Sequence, residues 1–180
     1  RENMLKNHGY YKVTEDGVEQ CLISCDDGVY RFTPPESEEQ DWTVEKLVDE
    51  AASDAVLVDL DQDGEKELIL ISPFHGEHIY FYKKIDGDYK KVYTYDTADF
   101  AHAIYGGTLL GKPAVIIGHR KGERNLLLFT WEQEKGQYQV EILDRDCGPA
   151  NVFKYERGTE EVLISTNREI DEVAMYTFEK

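Results

Sequence analysis

Four short apolar runs punctuate the chain: Cys21-Leu22-Ile23-Ser24, Leu68-Ile69-Leu70-Ile71-Ser72, Ala114-Val115-Ile116-Ile117-Gly118 and Val162-Leu163-Ile164-Ser165. Each is too short for a buried helix, and the polar alternation of a half-exposed strand is missing, so the pattern predicts strands covered on both faces. A second apolar strand follows each: Val29-Tyr30-Arg31-Phe32, Ile79-Tyr80-Phe81-Tyr82, Leu126-Leu127-Leu128-Phe129 and Val173-Ala174-Met175-Tyr176. These are strands B and C of a repeating unit. Strand A is expected before each pair, at 9–13, 55–59, 103–105 and 150–154. A fourth strand D follows at 43–48, 89–93 and 138–143, and the last unit has none. Only 43–52 also carries a spacing compatible with a short helix.

The units keep strict time. Gly17, Gly64, Gly111 and Gly158 follow one another at intervals of 47 residues, each just before a B strand. Four strands in a period of this length is the signature of propeller blades. The expected fold is an all-β propeller of about four blades of four-stranded antiparallel sheet. It reads as a single domain over 1–180 with blades at about 8–54, 55–101, 102–148 and 149–180. A fourth blade without strand D leaves an apolar edge, and a first blade without a neighbour leaves an apolar face, both of which invite pairing. The four blades are therefore expected to belong to a ring of six to eight, completed by a missing part of the protein or by a second chain.

Between strands A and B of the second unit lies Asp59-Leu60-Asp61-Gln62-Asp63-Gly64-Glu65-Lys66-Glu67. Carboxylates at loop positions 1, 3, 5 and 9, with glycine at 6, let a tight turn point several hard oxygens at one cation, and Glu65 at position 7 offers its carbonyl. An EF-hand would need a bidentate Glu at position 12, where this chain has Leu70 at the heart of a strand. The segment resembles the calcium loop of FG-GAP or VCBS repeats, found in integrin α-subunit propellers and many bacterial propellers. The resemblance implies a structural Ca2+ held by Asp59, Asp61, Asp63, Glu65 and Glu67, and a module that binds rather than catalyses. The competing reading is an acidic turn without an ion. No other unit repeats the set: one period earlier stand Lys12, Thr14, Asp16 and Gln20, one period later Gly106, Thr108, Leu110 and Ala114.

Charge narrows the partners. With 20 basic and 37 acidic residues the net charge is −17, a field that repels nucleic acid and anionic membranes. No run approaches the ~20 apolar residues of a membrane helix. Cys21 and Cys25, four apart along a strand and its turn, stand ~13 Å apart, too far to bridge. Reduced thiols point to a cytoplasmic setting, with a secreted or cell-surface one as the alternative.

Histidine placement supplies the candidate chemistry. His8 and His102 lie two periods apart, at the entry of strand A in blades one and three; Tyr11 and Tyr105 repeat the same relationship. His75, His78 and His119 fall in B-to-C connections with Arg120, Arg124 and Arg168, so all are expected on the rim opposite the acidic loop. Such a rim suits an anionic or carbohydrate ligand, or a protein. Two inward histidines also suit a transition metal, as in a carbohydrate-active lyase or dehydratase. The competing reading is a set of solvated loop residues whose hydrogen bonds cap strand ends. No phosphate loop, HExxH or GxSxG motif is present.

Overall fold

The computed structural model describes residues 2 and 4–179, and every regular element in it apart from one short 3-10 turn is a β-strand. Blade one contains β1 (Tyr10–Glu15), β2 (Val18–Cys25), β3 (Gly28–Thr33) and β4 (Thr43–Val48). Blade two contains β5 (Asp54–Val58), β6 (Glu67–Ser72), β7 (His78–Ile85) and β8 (Asp88–Tyr95). Blade three contains β9 (Ala101–Leu109), β10 (Lys112–His119), β11 (Leu126–Glu132) and β12 (Gln137–Asp144), and blade four β13 (Pro149–Arg157), β14 (Glu160–Asn167) and β15 (Glu172–Glu179). Strand order in each sheet equals chain order and every pairing is antiparallel. The result is a β-propeller arrangement of three four-stranded blades and one three-stranded blade. Segment 43–52, with its helix-compatible spacing, holds strand β4 paired to β3 rather than a helix.

The 47-residue period has a backbone cause. Gly17, Gly64, Gly111 and Gly158 all have positive φ, at 77°, 97°, 73° and 62°, and a Cβ at any of them would meet nothing within 4 Å. The glycines are there for the left-handed turn between the first and second strands, not to make room for a neighbour.

Three cores hold the blades together, one at each contact between successive blades. Val13, Leu22 and Val29 of blade one pack with Ala55, Leu57, Leu68 and Leu70 of blade two. The other face of blade two, with Val56, Ile69, Ile71 and Phe81, meets Val115, Ile117, Leu127 and Phe129 of blade three. Ala103, Ala114, Ile116 and Leu126 then meet Val152 and Leu163 of blade four. Sandwiched between neighbours, β6 is buried at every position, which is why its sequence is a continuous apolar run.

Blade four is covered on one face only, and β15 accordingly alternates between exposed and half-buried positions through most of its length. Its open face carries Phe153, Tyr155, Val173 and Met175, which are 56%, 52%, 68% and 65% exposed. Register sets Phe153 opposite Ile164 and Ile164 opposite Met175, so these side chains form one row across the sheet. Among the described residues no core joins blade four to blade one. Lys180, the last residue of the edge segment expected from the sequence, lies outside the described residues.

Candidate functional site

The ends of the inner strands bring three histidines together. His8 precedes β1, His102 is the second residue of β9, and His75 stands in the connection between β6 and β7. One ligand nitrogen from each lies within 4.8 Å of the other two. The His8 and His75 Nε2 atoms are 3.5 Å apart, and the His8 and His102 ring centres 5.7 Å. Phe74 and Phe100 flank the group, with ring centres 5.4 Å from His8 and 5.0 Å from His75 respectively.

Backbone carbonyls orient two of the rings. His8 Nδ1 lies 3.1 Å from the Ser53 carbonyl oxygen and His102 Nδ1 2.8 Å from that of Ala150. A carbonyl only accepts, so each Nδ1 carries the proton and donates it, and in the neutral ring Nε2 is left with its lone pair. Burial, reinforced by His102 and His8 beside it, lowers the His75 pKa to about 4. Burial also lowers His102, against the opposing pull of the Ala150 carbonyl. His75 and His102 are therefore mostly neutral imidazoles at neutral pH.

The remaining rim residues are engaged elsewhere. His78 Nδ1 lies 2.9 Å from Asp96 Oδ1. His119 is 1% exposed; its Nδ1 meets the Lys121 carbonyl at 2.9 Å and its Nε2 accepts the Asn125 backbone N–H at 3.1 Å, so it pins the β10–β11 connection with both nitrogens. Arg120 pairs with Glu169 at 2.7 Å and its guanidinium lies over Phe100; Arg168 reaches Glu169 at 3.5 Å, and Arg124 pairs with Asp146. The cations expected to draw an anion thus already have carboxylate partners. Tyr11 donates to the Gly106 carbonyl at 3.2 Å, tying blade one to blade three across the inner strands, while Tyr105 packs edge-on against Phe153.

The acidic loop lies at the far end of β5. His8 touches Ser53 just before that strand and Asp59 follows its last residue, so the two sites are separated by a strand length, ~20 Å at 3.3 Å per residue. Within the loop, Gly64 N–H donates to Asp59 Oδ2 at 3.1 Å, Asp63 N–H to Asp61 Oδ1 at 3.3 Å, Glu65 N–H to Asp63 Oδ1 at 2.9 Å and Leu60 N–H to Glu67 Oε2 at 2.8 Å. One oxygen each of Asp59, Asp61, Asp63 and Glu67 is thereby committed to the turn. Asp59, Asp61 and Glu67 each bring a carboxylate oxygen within 4.8 Å of the other two, Asp63 standing outside this group, and the Asp59 Oδ1 atom is buried with no hydrogen-bond partner. Facing them is Lys83 from β7, paired with Asp61 and lying 3.1 Å from Asp63 and 3.5 Å from Glu67. Burial pulls the lysine pKa down, but the hydrogen bonds to Asp61 and Asp63 win and hold it well above its usual range. Glu67, fully buried, is pushed up by burial against the Leu60 N–H, and Tyr138 donates to its Oε1 at 3.1 Å.

Three contributors escaped the sequence reading. His75 was legible as a rim residue but not as the partner of His8 and His102. Lys83 gave no signal, since it reaches the loop from a strand two turns away in the chain. Asp54 opens β5 beside Gly9 on the histidine side; burial, opposed by the Ala55 N–H, raises its pKa to about 7.

No family model matches this chain, and no curated protein does. Solved structures do. A putative 6-phosphogluconolactonase from Bacteroides fragilis superposes with a TM-score of 0.56 at 14% identity, over 96% of this chain and 55% of that one. BBS1N, solved in complex with ARL6DN, superposes with a TM-score of 0.52 at 10% identity, over 99% of this chain and 58% of that one. The likeness is one of fold. The chain spans little more than half the length of either structure.

Proposed function

We propose that this chain is a binding segment of a larger propeller, stabilised by Ca2+ at Asp59, Asp61, Asp63, Glu65 and Glu67, which takes its ligand on the histidine face. The observation that carries the reading is the meeting of His8, His75 and His102 between Phe74 and Phe100, where three blades converge. Imidazole edges beside aromatic faces suit the hydroxyls and C–H faces of a sugar ring, or a carboxylate borne on one. Because Arg120, Arg124 and Arg168 are paired with acids, specificity rests on hydrogen bonds and ring contacts more than on charge attraction. A protein loop presenting such groups is accommodated by the same chemistry.

Calcium is supported by the meeting of the Asp59, Asp61 and Glu67 carboxylates and by the buried, unpartnered Asp59 Oδ1. The Lys83 ammonium is its internal competitor. The larger ring is supported by the open apolar face of blade four and by solved neighbours almost twice as long.

A carbohydrate-active lyase or dehydratase is the second reading, favoured by Asp54, whose raised pKa suits proton transfer near neutral pH. Ring-resolved NMR of the histidines during titration with neutral and uronate oligosaccharides tests the binding reading. Shifts confined to His8, His75 and His102 support it, unchanged resonances with every saccharide overturn it, and consumption of the saccharide establishes the enzyme instead.

A further inference from the structure

We propose that His8, His75 and His102 form a three-histidine site for a zinc-class divalent transition-metal cation, with the fourth coordination position open to solvent. The site is distinct from the acidic loop and does not depend on any saccharide.

Three features of the trio are those of a metal centre. The first is ligand preparation. The Nδ1–H groups of His8 and His102 are spent on the Ser53 and Ala150 carbonyls, which leaves Nε2 of each neutral ring as the free donor atom, and the His8 Nε2 faces that of His75. That hydrogen bond to a carbonyl is what a metal-binding imidazole ordinarily has behind it. The second is spacing. Two nitrogens at ~2.0–2.1 Å from a tetrahedral cation are ~3.3 Å apart; His8 and His75 Nε2 are 3.5 Å apart, and the whole set spans 4.8 Å, within reach of small ring rotations.

The third feature is a backbone cost that His75 bears and its counterparts one period away do not. One period before His75 stands Gly28 and one period after it Gly122, and all three positions have positive φ, at 49°, 142° and 63°. His75 and Gly122 share a left-handed backbone that glycine adopts freely in blade three, while Gly28 of blade one opens β3 at a different positive φ. Blade two puts a histidine in that left-handed position, at a local backbone cost. It also has Ala55 where the period of His8 and His102 would place a third histidine. The side chain missing from the strand is supplied from the loop.

Donor chemistry selects the cation. Three imidazole nitrogens and no carboxylate suit Zn2+ and its neighbours and reject Ca2+ and Mg2+. Phe74 and Phe100 shield the flanks, while the exposed side at His8 admits water or a ligand oxygen to the fourth position.

The test is titration of the purified, metal-stripped chain with Co2+ alone, followed by its visible absorption. One equivalent giving the intense bands of a four-coordinate centre is expected, weakened at least tenfold in His75→Ala and in His102→Ala and unchanged in Asp61→Ala. Equal affinity in His75→Ala, or no visible bands, overturns the site. Should the variants fold poorly, 15N NMR of the unaltered chain with Zn2+ decides. The Nε2 resonances of the three rings are expected to move while the Nδ1 protons of His8 and His102 persist, and stationary Nε2 resonances overturn the proposal.

Discussion

His8 and His75 lie 67 positions apart in the chain, and their Nε2 atoms are 3.5 Å apart in the fold. Their meeting depends on blade-to-blade register: β1 and β5 must pack side by side for the Ser53 carbonyl to hold one ring while the β6–β7 connection delivers the other. A slip at that interface would separate them, so the histidine face and the core between blades one and two form a unit.

Calcium is expected to stabilise the chain through blade two. A hundredfold excess over Kd contributes ~2.7 kcal/mol, which for a chain of this size raises Tm by roughly 5–10 °C. Differential scanning calorimetry with Ca2+ and with chelator should show that difference, and Asp61→Ala should abolish it. Coincident melting curves would remove calcium from the account.

Lys83 makes opposite predictions with and without the ion. Without calcium, Lys83→Met strips the acidic loop of its counter-ion and lowers Tm, because Glu67 is fully buried and Asp61 nearly so. With calcium the same variant no longer has an ammonium to displace, and its Ca2+ affinity should rise by about tenfold in isothermal titration. An affinity that falls would show that the lysine supports the ion rather than competing with it.

How far these sites were legible differs by residue. The strands were readable because β6 and β10 are covered on both faces and so read as unbroken apolar runs, and because each first turn needs a glycine at positive φ. His8 and His102 were readable as a pair because both sit at the entry of periodic inner strands. His75 was not readable as their partner, since it breaks the period and stands where the neighbouring blades have glycine. Lys83 was hidden for a different reason: β7 offers the adjacent pair Lys83 and Lys84 on opposite faces, and the chain alone does not say which face meets Asp61. The charged rim was legible in composition but not in its pairing, because Glu169 and Asp146 reach Arg120 and Arg124 from separate connections.

Asp54 gives the chain a pH dependence of definite sign. Its folded pKa of about 7 lies above the ordinary value of 3.8, so the folded state holds the proton more tightly. The associated stability is complete below pH 3.8 and is lost as pH rises through about 7. Asp54→Asn should therefore gain on the unaltered chain between pH 4 and 8, by a few kcal/mol at most, in urea melts. A difference that stays flat over that range would contradict the raised pKa.

The open face of blade four should drive association. Phe153, Tyr155, Val173 and Met175 are left largely in water, and burying each is worth ~1.5–3 kcal/mol. Sedimentation velocity of the 180-residue chain is expected to show species heavier than 20.8 kDa, reverting to the monomer in Met175→Glu. A monodisperse monomer in the unaltered chain would mean that the face needs no cover.

The division of the molecule into a hard-cation loop and a histidine face is tested most directly by anomalous scattering from crystals grown with both Ca2+ and Zn2+. Data on either side of the zinc absorption edge should show a peak among His8, His75 and His102 that vanishes below the edge. The density expected among Asp59, Asp61, Asp63 and Glu67 should be insensitive to it. Zinc in the acidic loop with no peak among the histidines would contradict the account.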